Sequence, residues 1–112
     1  MYSEAVIHAL GNEYNAAILG AADEARSAQA LSDELDIPIA TCYRRIEELE
    51  EADLLEHEGR ELSEGRRRVS VYRRTVDQVV VDFERGGYDV TVEERASVAN
   101  KLDEVWRSIS SS

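Results

Sequence analysis

Between Ser27 and Leu55 the apolar positions fall into two helical registers separated by a break. Ala28, Leu31 and Leu35 lie three and four apart, the spacing of one buried helical face. Ser27 precedes them, and its hydroxyl suits an N-cap. Asp36-Ile37-Pro38 interrupts the pattern: a residue before proline is pushed out of the helical region, whereas proline itself suits the first turn of a new helix. The period then resumes at Ile39, Cys42, Ile46 and Leu49, predicting a second helix from Pro38 to Glu51 with those four in the core. Thr41, Tyr43, Arg44, Glu47, Glu48 and Glu51 are left on its outer face, with Arg45 nearer the buried stripe.

Upstream, residues 3–10 and 12–22 read as helices divided at Gly11-Asn12. Asn12 is placed to cap the second, and Tyr14, Ala17, Ile18 and Ala21 would share a face against the helix pair. Downstream the period changes. Leu54–Leu62 and Val69–Val76 alternate or carry β-branched residues, as strands do, around a turn-rich tip, Ser63-Glu64-Gly65-Arg66-Arg67-Arg68. Gln78–Glu84 and Tyr88–Val92 predict a second hairpin, joined through Arg85-Gly86-Gly87. From Glu93 to Ser110 the pattern is helical again. Val98, Leu102, Val105 and Ile109 form a heptad-like stripe beside Ala99 and Trp106. That stripe fits a cover for the hairpin and equally a seam between two copies of the chain.

The expected fold class is therefore α+β, mainly helical, without internal repeat or linker. Residues 1–76 would form the helices and the first ribbon; residues 77–112 would add a hairpin and a helix to the same domain, the latter a dimerisation element. A helix, a tight turn and a second helix with Thr-x-Tyr-Arg at its outer start form the layout of a DNA-reading helix-turn-helix. A two-stranded ribbon directly afterwards is the wing of a winged helix, whose tip reaches phosphate or minor groove.

Candidate contacts follow from that layout. Arg44 and Arg45 suit base edges or phosphates, since arginine contacts guanine bidentately; the alternative is a solvated face paired with Glu47, Glu48 and Glu51. Tyr43 suits a thymine methyl or a phosphate, or else packing at the surface. Arg66, Arg67 and Arg68 carry the strongest indication of an anionic partner, because three arginines at a glycine-containing tip gain nothing in packing. Arg73 and Arg74 read as strand-surface charges.

Charge complicates this picture. The 112 residues carry 13 Lys and Arg against 24 Asp and Glu, a formal net charge of −11, and Lys101 is the single lysine. A DNA-binding protein is expected to be basic. Either the chain avoids nucleic acid or it works where screening is extreme, and at molar salt the Debye length falls to about 3 Å. The distribution favours the second: eight of the basic residues lie between Arg44 and Arg74, and Arg26 is the only one before them. Composition otherwise describes one domain with a modest core, 43% hydrophobic with a single proline. No run approaches the roughly 18 apolar residues of a membrane span, and the amino terminus lacks the basic region of a secretory signal. One cysteine excludes an internal disulfide and agrees with a cytoplasmic setting.

Ile37-Pro38-Ile39-Ala40-Thr41-Cys42-Tyr43-Arg44-Arg45-Ile46, followed by Leu49-Glu50-Glu51-Ala52-Asp53-Leu54-Leu55, resembles the winged helix-turn-helix regulators of archaea, most nearly the small ArsR-like group of haloarchaea. The resemblance runs from about Asn12 to Thr75. Ala40 stands where the pattern usually has serine, and Asp53 where it has glycine. The resemblance implies a homodimer on pseudo-palindromic double-stranded DNA, with contacts from Thr41, Tyr43, Arg44 and Arg45 and from the wing arginines Arg66, Arg67 and Arg68. The cysteine pairs by which many ArsR relatives sense metal are absent, Cys42 being alone.

Cys42 lies on the apolar stripe, which suits a core thiol; a redox- or ligand-sensing regulator would instead need it exposed and acidic. With His8 and His57 it makes no metal-ligand spacing. Neither a phosphate loop nor a nucleophile–base pairing is visible, so no enzyme and no cofactor are expected. The expected function is a sequence-specific DNA-binding regulator. The alternatives are a winged helix that docks on protein through Glu47, Glu48, Glu50 and Glu51, and a sensor built on Cys42.

Overall fold

A computed structural model describes residues 2–62 and 67–95. Four helices come first, α1 (Tyr2–Leu10), α2 (Asn15–Ala21), α3 (Ala28–Leu35) and α4 (Ile39–Glu51). A two-residue strand, β1 (Arg26–Ser27), lies before α3. After α4 come β2 (Leu55–Leu62), β3 (Arg68–Arg74), β4 (Val76–Glu84) and β5 (Gly87–Glu94). Strands claim nearly as many described residues as helices, so "mainly helical" understates the β content. The second hairpin is longer at both ends than its apolar alternation indicated.

The division at Gly11 holds, but α2 starts three residues later than expected. Asn12 Oδ1 accepts from the Tyr14 N–H at 2.9 Å, closing a turn rather than capping the helix. Asn15 takes the anchoring role: it is fully buried, and its Nδ2 donates to the Ala9 carbonyl at 2.7 Å, tying the end of α1 to the start of α2. The later start turns the buried face to Asn15, Ile18, Leu19 and Ala22, a clean i, i+3, i+4, i+7 set. Ala17, expected inside, is exposed, and Tyr14 and Ala21 are only half-buried.

The helix pair closes by local chemistry. Ser27 Oγ accepts from the Ala30 N–H at 3.1 Å, as expected of an N-cap. Asp36 then turns left-handed (φ 55°, ψ 48°), which lets the Ile37 N–H return to the Ser32 carbonyl at 3.0 Å. Ser32 Oγ donates to the Ile37 carbonyl, so this polar residue is buried but satisfied. Pro38, extended at φ −53°, stands immediately before α4, and its carbonyl takes the Cys42 N–H at 2.9 Å. At the far end the Asp53 N–H bonds the Glu50 carbonyl and the Leu54 N–H bonds the Leu49 carbonyl, at 3.0 and 2.9 Å. This is a Schellman closure, with Asp53 left-handed at φ 57° and with Leu49 and Leu54 both fully buried.

Cys42, Ile46 and Leu49 enter the core together with Ala28, Leu31 and Leu54. Ile39 does not: it is 37% exposed. A side chain in the first turn of a helix leans toward the N-terminus, away from the contacts that cover the later turns.

β1, β3 and β2 make one antiparallel sheet in that order, with Arg26 opposite Tyr72 and Ser27 opposite Val71. β1 carries no period that a sequence reading can detect at two residues. The β2–β3 ribbon stands where the wing was expected, and its register slips between His57 and Gly59. Gly59 takes φ 142°, a conformation costly for a side chain, and the bulge frees Glu58 to pair with Arg73 at 3.3 Å.

β4 and β5 form a separate hairpin in which Val79 faces Val92, Val81 faces Val90 and Phe83 faces Tyr88. Val76, expected at the end of the wing, opens β4 instead. The loop is Arg85-Gly86 with φ 89° at Gly86, and Gly87 already pairs with Glu84, so the turn lies one residue earlier than a Gly-Gly loop would. Glu93 and Glu94, expected to start the tail helix, extend β5. The remainder of that helix, with Val98, Leu102, Val105, Trp106 and Ile109, lies outside the described residues. Val76, Val79, Val90 and Val92 pack at the hairpin root against the helical core. Thr75 knits the junction: its N–H reaches the Leu54 carbonyl, its Oγ1 the Asp53 carbonyl, and its own carbonyl accepts from Arg95 N–H.

Candidate nucleic-acid interface

α4 buries one side through Cys42, Ile46 and Leu49 and therefore presents Ala40, Tyr43, Arg44, Glu47 and Glu51, all exposed, on the other. Tyr43 is 55% exposed. Arg44 is exposed and has no ion-pair or hydrogen-bond partner among the described residues. Thr41 is half-buried on the opposite flank of that face from Tyr43. Arg45 differs from Arg44, because its Nη1 lies 2.7 Å from Glu48 Oε2 and both side chains are largely covered. Its Nε is buried without a partner.

The wing approaches α4 from the side of Tyr43. Tyr43, Ser27 and Gln29 from the α3 start, and Arg68, Ser70 and Tyr72 from β3 line one cleft of about 270 Å³. The cleft thus collects a helix N-terminus, where backbone N–H groups favour an anion, together with an exposed guanidinium at Arg68 and two phenols. Burial, with the Glu50 charge beside it, pushes the Tyr72 phenol up, so it stays a neutral hydrogen-bond donor. His57 meets the Tyr72 ring edge-on at 5.6 Å and steadies it.

Of the expected wing residues, Arg68 begins β3 and Arg67 is exposed just before it, while Arg66 lies outside the described residues. The structure brings Tyr43 and Arg68 to one cleft and keeps Arg44 on the adjoining face; Arg45 it engages internally. Ser27, Gln29, Ser70 and Tyr72 escaped the sequence reading, since only the fold joins them. Arg73 agrees with its reading as a strand-surface charge, paired with Glu58, whereas Arg74 does not: it is part-buried and hydrogen-bonded to carbonyls of Leu19 and Val76.

Cys42 is fully buried, with Sγ 3.5 Å from the Ala28 carbonyl, and burial pushes its thiol up. That is the opposite of what a reactive thiol needs, and the core reading stands. Among the described residues no cluster of His, Cys, Asp and Glu is arranged to hold a metal, and no helix is long and apolar enough to cross a membrane.

Residues 10–58 match the family model of a helix-turn-helix domain. The match runs from the last residue of α1 to the bulge of β2, and so contains the α3–α4 pair and the start of the wing. Over those residues the chain is similar to a helix-turn-helix domain, and that likeness supports DNA binding with a role in transcription. No curated protein matches the chain.

Proposed function

We propose that this chain is a sequence-specific transcriptional regulator of the winged, ArsR-like kind that binds double-stranded DNA as a homodimer in a salt-rich cytoplasm. The observation that carries the reading is the convergence of Tyr43 on α4 and Arg68 on the wing at one cleft, with exposed Arg44 beside it. In this arrangement α4 enters the major groove and the wing follows the backbone, with Thr41, Tyr43 and Arg44 nearest the bases, Arg45 joining them only by leaving Glu48, and Arg66, Arg67 and Arg68 nearest phosphate. A second copy supplies the other half-site, about 34 Å away. The acidic remainder of the surface suits molar salt, where its repulsion of DNA is screened within a few ångströms.

Fluorescence anisotropy with a pool of promoter fragments from the source genome, in multi-molar KCl, tests this. Saturable binding to a subset of fragments is expected. Absence of binding at both high and moderate salt would overturn it and turn attention to exposed Glu47 and Glu51, which favour docking on a protein.

A further inference from the structure

The exposed face of α4 changes character along its length. Its first turn is apolar: Ile39 is 37% exposed, Ala40 is exposed, and Tyr43, one turn on from Ile39, is 55% exposed. Arg44 follows, one turn on from Ala40. Glu47 and Glu51 then close the face, both exposed. The order is apolar, basic, acidic. An acidic second half cannot lie against a phosphate-lined groove as closely as the first, so the helix meets DNA by its N-terminal end, the end that reads base edges in helix-turn-helix domains.

At that end neither Ile39 nor Ala40 offers a side-chain donor or acceptor. The base-edge group that an apolar contact reads in the major groove is the 5-methyl of thymine. Exposed Arg44 and Arg68 flank the patch with positive charge and have no partner among the described residues, which complements the phosphates on either side of such a base. Ile39 is the one member of its apolar stripe that is not buried among the described residues.

We propose that Ile39, Ala40 and Tyr43 form a thymine-methyl reading surface, so that the preferred half-site carries thymines where the first turn of α4 docks. This rests on the DNA-binding reading above. The contact is van der Waals, and each methyl removed from water contributes roughly a fourfold gain in affinity by the usual value for a buried CH₂.

The test uses the full chain and one promoter pool amplified twice, with dTTP and with dUTP, so that the two pools differ only in the methyl group. Anisotropy in multi-molar KCl should show the uracil pool bound more weakly, about sixteenfold for two methyls read. The triple variant Ile39→Ser, Ala40→Ser, Tyr43→Ser alters exposed positions only, and circular dichroism checks its fold. It should bind both pools alike. Equal binding of both pools by the unaltered chain overturns the proposal while leaving the DNA reading in place. Discrimination that persists in the triple variant overturns it as well, since the methyl would then act through DNA shape. No binding to either pool removes the DNA reading and the proposal with it.

Discussion

The guanidinium of Arg74 donates from Nη1 to the carbonyl of Leu19 at 2.9 Å, across 55 positions of sequence. The Arg74 backbone N–H also reaches the Ala22 carbonyl at 2.8 Å, and Arg26 Nε reaches the Ala21 carbonyl at 2.7 Å. Carbonyls at the end of a helix lack partners within it and carry partial negative charge. Two arginines and one strand amide therefore finish α2, and in doing so they fix the root of the wing to the helices. The wing's placement beside α4, on which the candidate interface depends, rests on this clamp.

Arg74→Met keeps most of the aliphatic stem and removes the donors. Hydrogen bonds from charged groups are worth about 1.5–3 kcal/mol, so a loss of about 2 kcal/mol is expected in urea unfolding. Arg73→Met should cost under about 0.5 kcal/mol, because its pair with Glu58 is exposed. Equal effects would mean that the clamp does not bear on stability.

Asp53 holds φ 57° at the end of α4, where glycine would carry no side-chain penalty. Asp53→Gly should leave stability unchanged or raise it by up to about 1 kcal/mol, whereas Asp53→Ala should lower it by about 1 kcal/mol. Thermal unfolding should thus rank glycine at or above aspartate and aspartate above alanine. The bond from Thr75 Oγ1 goes to the Asp53 backbone carbonyl and survives all three.

Cys42 should resist thiol reagents in the native protein and react only as fast as the core opens. Its thiol is pushed up by burial, so the native state holds that proton more tightly than the unfolded chain does. The associated stability is present in full below the ordinary thiol range and is lost as pH rises through the raised folded value. Denaturant titrations should show stability falling above about pH 8.5, with a shallower decline in Cys42→Ala. Rapid labelling at neutral pH would overturn the buried assignment.

At the interface the two arginine groups should behave differently. Arg68→Ala should weaken binding to all bound fragments alike and lower the salt slope by about one, as loss of a phosphate contact does. Arg44→Ala should also change which fragments are preferred, costing about 1–3 kcal/mol at its base. Selection from a random duplex library reads the second effect; anisotropy across a KCl series reads the first. Unchanged preference in Arg44→Ala would remove α4 as the reading helix.

Local chemistry accounts for what was legible beforehand. Ser27 caps α3, Pro38 precedes α4, and the strands expected at 54–62 and 78–84 form at 55–62 and 76–84, because each depends on neighbours within a turn or on local strand propensity. Acidic Asp36 and Asp53 hid two left-handed helix ends where glycine would have announced them. Asn12 and Asn15 illustrate the limit. Both are plausible anchors in sequence, and the choice between them depends on where the Ala9 carbonyl comes to lie.

Periodicity along the chain was enough to specify the helix pair, the ribbon after it and the buried side of α4, since those follow from which residues avoid water. Whether Ile39 found a covering neighbour, whether Arg45 was spent on Glu48, and which residues of α3 and β3 meet Tyr43 were decided by tertiary structure. Such contacts join positions far apart in sequence, and their geometry is set by how the elements pack rather than by any pattern within one of them.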